Sequence, residues 1–417
     1  MGSEQDVMGK EVTDRFFNYC KVDTQSDEES ETSPTTEKQK DLGRMLTAEL
    51  TGLGAEEVFF DEVHCYVYAS IPSTQGKAGK TLAFLSHMDT SPEVSGKDVK
   101  PRIVKEYDGT DIVLNEEKKI LLSPATYPEL QHYKGQDLIV TDGTTLLGAD
   151  DKAGVAEIMT MAAYLLKHPE IPHGKIAICF TPDEEVGQGV DHIDLKRLGA
   201  DYAYTVDGGA LGELEYENFN AAAAKAVFHG ISVHPGEAKG KMVNASLLAT
   251  EFLSKLPASA RPENTEGYEG FFHLTEMKGS IEQAEVSLIV RDHDREKFEE
   301  KKNFLQTIAA ELNQHYGEGT VALSVEDSYY NMKEKIDPEN LFLVDCAKQA
   351  MESLSITPKV QPIRGGTDGA RLSYMGLPCP NLCAGGHNFH GRFEYIPVQS
   401  MERIVSLLVR IVETFPW

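Results

Sequence analysis

Histidine and carboxylate side chains follow four short apolar runs of this sequence, each at the point where the run ends. The runs and the groups after them are Thr81–Leu85 with His87 and Asp89, Leu146–Ala149 with Asp150 and Asp151, Ile176–Phe180 with Glu184 and Glu185, and Tyr202–Val206 with Asp207. In open α/β sheets, ligand sites form at the carboxyl ends of the strands. Four such strand ends would bring one imidazole and several carboxylates into a single pocket.

A pocket of this composition favours a metal site. Carboxylates packed side by side repel one another, and each resists ionisation unless a cation neutralises the cluster. A divalent ion does so, and a mixed set of imidazole and carboxylate ligands suits zinc, cobalt or manganese.

The spacing of His87 and Asp89 is a reason to place His87 among the ligands. Residues two apart on an extended segment point the same way, so the Asp89 carboxylate can hold the second imidazole nitrogen and fix the tautomer that donates to a metal. By themselves these residues are also typical of a surface loop after a strand, and Asp150 could be a plain helix N-cap.

Glu184 and Glu185 directly follow a buried run and a Thr-Pro turn. Adjacent acidic residues are common on surface loops, but at this position one of them can ligate a metal while its neighbour faces the substrate. A water activated by a metal needs a base within hydrogen-bond reach that also hands the proton on to a leaving amine. We assign that role of general acid/base to Glu184.

A late glycine-rich segment, 384–391, holds His387 and His390 and is flexible enough to return an imidazole to the sheet. Cys379 and Cys383 lie just before it, but a proline separates them, no second pair follows and the spacing is not that of a zinc ribbon. Six cysteines in a chain of 417 residues do not form a disulfide framework, and we expect them to be reduced.

The elements that must position these groups alternate between strands and helices. A helical pattern over Asp151–Lys167 lies between the second and third apolar runs, and helices are also predicted over Gln39–Gly52, Pro338–Leu354 and from Ser400 onward. This alternation predicts an α/β fold with a mostly parallel sheet flanked by helices. The polar stretch Asp23–Glu37 is predicted to be an exposed loop.

The middle of the chain has a different predicted order of strands and helices. The predicted order there is a strand at Ala226–Val233, a helix at Asn244–Lys255, a strand at Glu285–Asp292, a long charged helix at Arg295–Tyr316 and a strand at Val321–Val325. That order fits a small two-layer α/β unit inserted in the larger domain. The predicted domains are 1–217 and 328–417 for the catalytic part and 218–327 for the insertion.

The charge balance excludes some partners. Forty Lys and Arg residues against 67 Asp and Glu residues give a net charge of −27, which repels nucleic-acid phosphates and anionic lipid surfaces. No apolar stretch approaches the ~18 residues that cross a bilayer, and residues 1–10 lack the basic flank and apolar region of an export signal. We expect a cytoplasmic protein that binds neither nucleic acid nor membrane.

Five strings of residues around the proposed metal site are specific enough to indicate a family. They are His87-Met88-Asp89, Gly148-Ala149-Asp150-Asp151-Lys152, Thr181-Pro182-Asp183-Glu184-Glu185, Val206-Asp207-Gly208-Gly209 and His390-Gly391. Together they resemble the co-catalytic zinc exopeptidases, which include aminoacylase and glutamate carboxypeptidase. Strings outside the metal site, such as Val233-His234-Pro235-Gly236 and Pro362-Ile363-Arg364-Gly365-Gly366, most closely resemble the tripeptide aminopeptidases of that family, over nearly the whole chain.

The resemblance implies two zinc ions per subunit, with cobalt or manganese as substitutes in vitro. The ligands would be His87, Asp150 and Asp207 for one ion, and Asp150, Glu185 and His390 for the other. His390 is preferred to His387 because the family's ligand directly precedes a glycine. Asp89 would orient the first imidazole, and Glu184 would be the general acid/base.

The resemblance also implies that the inserted unit is a lid domain through which two copies could pair as a homodimer. Within it, His234 would polarise the scissile carbonyl and Arg291 would bind the carboxylate of the peptide. Arginine suits that carboxylate because its planar fork donates two parallel hydrogen bonds. Asn244 and Arg364 are further predicted substrate contacts.

The leading hypothesis is a metallo-aminopeptidase that releases the N-terminal residue of tripeptides by means of a water activated by two zinc ions. A different amide hydrolase on the same scaffold, such as an N-acyl amino acid deacylase or a dipeptidase, would use the same metal residues. A binding module without turnover is expected to lack a ligand or the base, and none is missing here. The sequence leaves open the side-chain preference and the roles of residues 27–37 and of His387.

Overall fold

The structure, a computed structural model, describes residues 2–74 and 79–417, with the side chains of residues 8–74 and 79–417. The chain forms two compact units. The first comprises Met1–Tyr216, Lys335–Gln361 and Thr367–Trp417, and the second comprises Glu217–Glu334 and Pro362–Gly366. The sequence predicted boundaries at 217/218 and 327/328. In the structure, residues 328–334 and the short segment 362–366 belong to the second unit, although the sequence placed them in the first.

Helices and strands alternate through most of the described chain. The helices are α1 (Gly2–Tyr19), α2 (Gln39–Leu53), α3 (Ala149–Lys167), α4 (Leu195–Leu198), α5 (Ala245–Ser254), α6 (Arg295–Tyr316), α7 (Lys333–Ile336), α8 (Leu341–Ser353), α9 (Asp368–Tyr374) and α10 (Val398–Thr414). Within residues 2–74 and 79–417, none of them has the length and apolar character needed to cross a bilayer.

The strands fall into two larger sheets and two smaller ones. They are β1 (Glu56–Phe60), β2 (Val67–Ile71), β3 (Thr81–His87), β4 (Arg102–Val104), β5 (Ile112–Asn115), β6 (Ile120–Leu122), β7 (Leu138–Val140), β8 (Lys175–Thr181), β9 (Tyr202–Gly208), β10 (Glu213–Glu215), β11 (Asn220–His229), β12 (Phe271–Gly279), β13 (Gln283–Asp292), β14 (Val321–Tyr329), β15 (Lys359–Val360), β16 (Asn381–Cys383) and β17 (Tyr395–Pro397).

The main sheet lies in the first unit and joins eight of the described strands in the order β1-β2-β8-β3-β9-β16-β10-β15. The central strands β8, β3, β9 and β16 pair in parallel, as do β10 and β15. The other three pairings are antiparallel. The prediction of a mostly parallel sheet is confirmed for its centre, and the carboxyl ends of β3, β8 and β9 therefore meet at one edge.

Helices cover both faces of the main sheet. Successive side chains of a strand point to opposite sides, and in β3 both sets are apolar, so both faces need covering. In β3, Leu82 and Phe84 belong to a core that includes residues of α1, α2, α3, α8 and α10. Ala83 and Leu85 belong to a second core with residues of α4 and α9. The predicted flanking of the sheet by helices is confirmed.

The interpretation of Leu146–Ala149 as a fourth strand end was wrong. The nearest strand, β7, belongs to a separate three-stranded sheet with β4 and β17, and residues 146–148 are irregular. Asp150 instead lies at the start of α3, where the backbone of Asp150 and Asp151 is still non-helical. The apolar run misled because Leu146 and Leu147 are buried without belonging to the sheet.

The prediction of an exposed loop at Asp23–Glu37 was wrong in part. The segment is irregular, with an isolated bridge between Gln25 and Thr90, and its tip is exposed. Thr24, Ser26 and Thr35, however, are at most 5% exposed. Polar composition predicts exposure, but a polar side chain can also be buried where it finds hydrogen-bond partners.

The second unit has the two layers that the sequence predicted. Its antiparallel sheet, β12-β13-β11-β14, is covered on one face by α5 and α6. The strand predicted at Ala226–Val233 was placed too late, because β11 begins at Asn220 and ends at His229. The run Ala221–Ala224, too short to be informative in the sequence, lies inside β11 and contributes Ala222 and Ala224 to this core.

We predict that Glu157→Gln stabilises the protein increasingly as the pH rises. Glu157 is fully buried in α3, and its carboxyl oxygens have no hydrogen-bond partner among the described residues. Burial, followed by the charge of Asp151, raises its pKa well above the ordinary 4.5. The folded state then keeps a proton that the unfolded state releases above pH 4.5, so stability falls as the pH rises toward the folded-state pKa.

Urea unfolding from pH 5 to pH 8 measures this effect. The advantage of Glu157→Gln over the unchanged chain should grow by up to ~1.4 kcal/mol per pH unit. Glu117→Gln, at an exposed position, is the control and should show no such trend. A difference between Glu157→Gln and the unchanged chain that is constant across this range would contradict the prediction.

Candidate active site

The predicted ligands lie at one edge of the main sheet, at the ends of three parallel strands, at the start of a helix and in a loop. His87 is the last residue of β3, Asp207 is the next to last residue of β9, and the glutamate pair follows β8 in the 3-10 turn Glu184–Val186. Asp150 comes from the start of α3, and His390 comes from the loop between β16 and β17.

Asp150 lies between the two imidazoles. Its Oδ1 is 2.9 Å from His87 Nε2, and its Oδ2 is 3.2 Å from His390 Nε2. Asp207 Oδ1 is 3.4 Å from His87 Nε2, and Glu185 Oε2 is 2.8 Å from His390 Nε2. The structure thus brings the five predicted ligands together in two groups that share Asp150.

Asp151 also lies near this cluster. Two sets of possible ligand atoms, each within 4.8 Å of one another, come from His87, Asp151 and Asp207 and from His87, Asp150 and Glu185. Asp151 Oδ2, however, accepts hydrogen bonds from the Ser86 hydroxyl and, at 3.2 Å, from the His87 backbone N–H. Asp151 therefore fixes the end of β3, whereas Asp150 faces both imidazoles.

Asp89 is fully buried and contacts both His87 and the glutamate turn. Its Oδ1 is 3.2 Å from His87 Nδ1, which leaves Nε2 facing the cluster. Its two carboxyl oxygens also accept the backbone N–H groups of Glu184 at 3.0 Å and Glu185 at 3.2 Å. The contact predicted with His87 is present, and the sequence did not indicate the contacts with the turn.

Glu184 lies beside the cluster, with its Oε2 4.0 Å from His87 Nε2. Burial, followed by the charge of Asp207, raises the pKa of Glu184 well above its ordinary value. A carboxyl group whose pKa is raised in this way takes up a proton more readily and can release it again, as a general acid/base must.

The donor set fits divalent metal ions. Burial and the charge of Asp150 raise the pKa of Glu185 to about 8, and hydrogen bonds to Asp150 and Glu185 raise that of His390 to about 11. Protons thus supply the positive charge that the cluster needs, and a cation can replace them. Glu185 Oε1 is also buried without a hydrogen-bond partner among the described residues, as expected of an oxygen available to a metal.

His387 faces other partners. Its Nε2 is 2.6 Å from the Tyr133 hydroxyl, and its ring stacks on Tyr395. Burial lowers its pKa to about 4, so this imidazole is neutral. His390 is therefore the imidazole of this loop that contacts Asp150.

Sequence reasoning missed two glutamates. Glu394 is buried and accepts three backbone N–H groups at and just before the start of α3, at 2.7, 2.8 and 3.0 Å. Glu93 Oε2 is 3.0 Å from His390 Nδ1, on the side of the ring away from the cluster. Both lie within five residues of a predicted site residue, but nothing local in the sequence separates them from surface acids.

The predicted substrate contacts His234, Asn244, Arg291 and Arg364 lie in the second unit. Asn244 caps α5 through its side-chain oxygen. Arg364 donates to the Gly267 carbonyl at 2.6 Å and has its own carbonyl bound by Arg291 at 3.2 Å. Their roles in substrate binding stay predictions.

Comparison with known proteins shows which fold this chain shares. A family model, M20_dimer, described as a peptidase dimerisation domain, matches residues 216–320. A dinuclear metal-binding peptidase of the M20 family from Bacillus subtilis has a TM-score of 0.68 at 12% identity, covering 98% of this chain and 100% of its own. An aminopeptidase, PepT, from Bacillus cereus ATCC 10987 has a TM-score of 0.75 at 27% identity, covering 97% and 98%. The chain therefore has the fold of M20 peptidases.

Two relatives named peptidase T share more of the sequence. The one from Clostridium botulinum (strain Loch Maree / Type A3) is 56% identical over 406 residues, which are 97% of this chain and 99% of the relative. The one from Geobacillus thermodenitrificans (strain NG80-2) is 55% identical over 408 residues, which are 98% and 99%. The chain belongs to the peptidase T family.

We predict that His390→Asn weakens metal binding by at least ~100-fold. Loss of a residue that only hydrogen-bonds to a metal ligand already lowers metal affinity by ~10–100-fold, and loss of the ligand itself should cost at least as much. His387→Asn is the matched control and should leave metal affinity close to that of the unchanged chain, since this ring contacts Tyr133 instead. Titration with Zn²⁺ against a chelator of known affinity measures both variants. Equal losses in the two variants would contradict the assignment.

Proposed function

We propose that this chain is a metal-dependent aminopeptidase that releases the N-terminal residue from tripeptides. The observation that carries the proposal is the cluster of two imidazoles and two carboxylates around the Asp150 carboxylate, with Glu184 beside it. Membership of the peptidase T family supports the substrate class. A cytoplasmic location stays a prediction.

The proposed cofactor is a pair of zinc ions. One ion would be held by His87, Asp150 and Asp207, and the other by Asp150, Glu185 and His390. Asp150 supports this division because its two oxygens face different imidazoles. Bound in this way, the ions would polarise the peptide carbonyl and make a water more acidic, with zinc replaceable by cobalt or manganese in vitro.

The residues of the chain supply the proton transfer and the geometry. Glu184 would accept a proton from the attacking water and return it to the leaving amine, for which its raised pKa suits it. Asp89 would keep His87 in one tautomer and the backbone of the glutamate turn in place. The His87 and Asp89 side chains are at most 2% exposed, so little water screens the interaction between them.

Pairing of two copies through the second unit is part of the proposal. The match of residues 216–320 to a peptidase dimerisation domain supports it. Sedimentation equilibrium at several concentrations of the protein would test the pairing without any substrate.

A panel of substrates tests the reaction. We predict that the protein with added Zn²⁺ cleaves free tripeptides at the N-terminal residue, and that N-acetylation of the same tripeptides abolishes cleavage. An aminopeptidase needs the free amine, whereas a deacylase does not. Mass spectrometry of the products is the measurement. Faster hydrolysis of N-acyl amino acids than of tripeptides would favour the deacylase instead, and preference for dipeptides would favour a dipeptidase.

We predict that Glu184→Gln lowers kcat by at least ~10²-fold while the protein keeps its metal, because proton transfer is lost and the ligands remain. Glu185→Gln is the contrasting neighbour and should lose metal affinity, since its carboxylate faces His390. Metal analysis and tripeptide hydrolysis are measured on the same samples. Full activity of Glu184→Gln would refute the proposed role.

A further inference from the structure

Asp183 immediately precedes the glutamate pair and is 1% exposed. Its backbone has a φ of 52°, a left-handed conformation that residues other than Gly, Asn and Asp rarely adopt. Such a conformation persists where the surrounding structure holds it. The contacts of Asp183 therefore bear on where Glu184 and Glu185 lie.

Thr35 and Gln39 hold the Asp183 side chain. Its Oδ2 accepts the Thr35 backbone N–H at 2.8 Å, and its Oδ1 accepts the Thr35 hydroxyl at 2.5 Å and the Gln39 amide at 2.6 Å. In return, the Asp183 backbone N–H donates to Gln39 Oε1 at 3.2 Å. Gln39 is fully buried and thus binds both the side chain and the backbone of one residue.

The glutamate turn is consequently fixed at two points. Asp89 accepts the backbone N–H groups of Glu184 and Glu185, and Asp183 ties the preceding residue to Thr35 and Gln39. A turn held at one point can rotate about it, whereas a second point sets its orientation.

The segment 23–39 that carries Thr35 and Gln39 is itself anchored to the loop after β3. The Ser26 backbone N–H donates to the Thr90 carbonyl at 3.1 Å. The Gln25 side-chain amide donates to two further carbonyls of that loop, at 3.1 and 3.2 Å. The segment therefore connects the two loops that carry site residues.

We propose that Asp183, Thr35 and Gln39 form a positioning clamp that sets the placement of Glu184 and Glu185. The clamp makes the polar segment 23–39 part of the catalytic apparatus. It rests on the proposed function to the extent that Glu184 transfers the proton. A displacement of about 1 Å in a catalytic group can cost ~10²-fold in rate, so loss of the clamp acts on kcat.

A reciprocal exchange of donor and acceptor tests the clamp. In Asp183→Asn, the side chains at positions 183 and 39 are both amides. Whichever way each amide is turned, two N–H donors face each other in at least one contact. In Gln39→Glu, a second carboxylate faces Asp183. In the double variant D183N/Q39E, the new carboxylate accepts both the new amide and the backbone N–H at 183, so the bonds between these two positions are restored. The Thr35 hydroxyl then accepts the second hydrogen of the new amide, where it donated to Asp183 before. Asparagine also tolerates the left-handed backbone.

We expect each single variant to lower kcat by ~10–100-fold with little change in KM, and to weaken Zn²⁺ binding because Glu185 shares the turn. The double variant should recover most of both losses. Asp41→Asn, in α2 two residues after Gln39 and with its side chain 70% exposed, is the matched control and should behave as the unchanged chain. Should Asp183→Asn fail to fold, Thr35→Val removes the hydroxyl contacts but keeps the backbone N–H bond to Asp183, and it should show a smaller loss of the same kind.

Two results would overturn the clamp. One is a single variant that loses thermal stability but keeps kcat and Zn²⁺ affinity, as a merely structural contact would produce. The other is a folded double variant as impaired as the single variants. The Zn²⁺ titration needs no peptide, so recovery of Zn²⁺ affinity in the double variant supports the clamp whether or not the chain cleaves tripeptides. Failure of the unchanged chain to cleave tripeptides would refute only the proposed function.

Discussion

The site depends on holding like charges together at one buried edge of a sheet. Asp150 lies between the two imidazoles. Asp207 lies beside one of them and Glu185 beside the other, and burial drives these two carboxylates to take up protons. The pKa of Glu185 rises to about 8 and that of Asp207 to about 6 for this reason. Cations that replace these protons stabilise the arrangement, so metal binding and proton release are coupled.

Such a cluster also needs braces for the loops that carry its residues. Asp89 and Glu394 provide them by accepting backbone N–H groups of the glutamate turn and of the start of α3. Asp183, next to the glutamate pair, accepts the Thr35 backbone N–H. Backbone donors satisfy these buried carboxylates, and the charge-assisted hydrogen bonds are strong. The acidic excess of the chain thus has two roles at this edge, as ligands and as supports of the loops.

Sequence reasoning succeeded where the signal is local and failed where it depends on distant partners. The runs 81–85, 176–180 and 202–206 are buried strands, and the chemistry at their ends follows from strand direction. Asp183 and Thr35, by contrast, are 148 residues apart, and no local pattern connects them. The polar composition of Asp23–Glu37 predicted exposure because composition does not show which hydroxyl and amide groups find buried partners. Contacts in the structure likewise separate His390 from His387.

Glu394 braces the start of α3 and lies four residues after His390, which faces Asp150. The brace and the late imidazole therefore belong to a stretch of chain that the ribosome makes long after α3, β8 and the whole of the second unit. Domains generally fold as units while synthesis proceeds from the N-terminus. In a nascent chain, Asp150 lacks the His390 imidazole and the Glu394 brace until these residues have emerged, so the complete ligand set forms only after the second unit has been made. A chain arrested before residue 390 carries the acidic edge without its second imidazole.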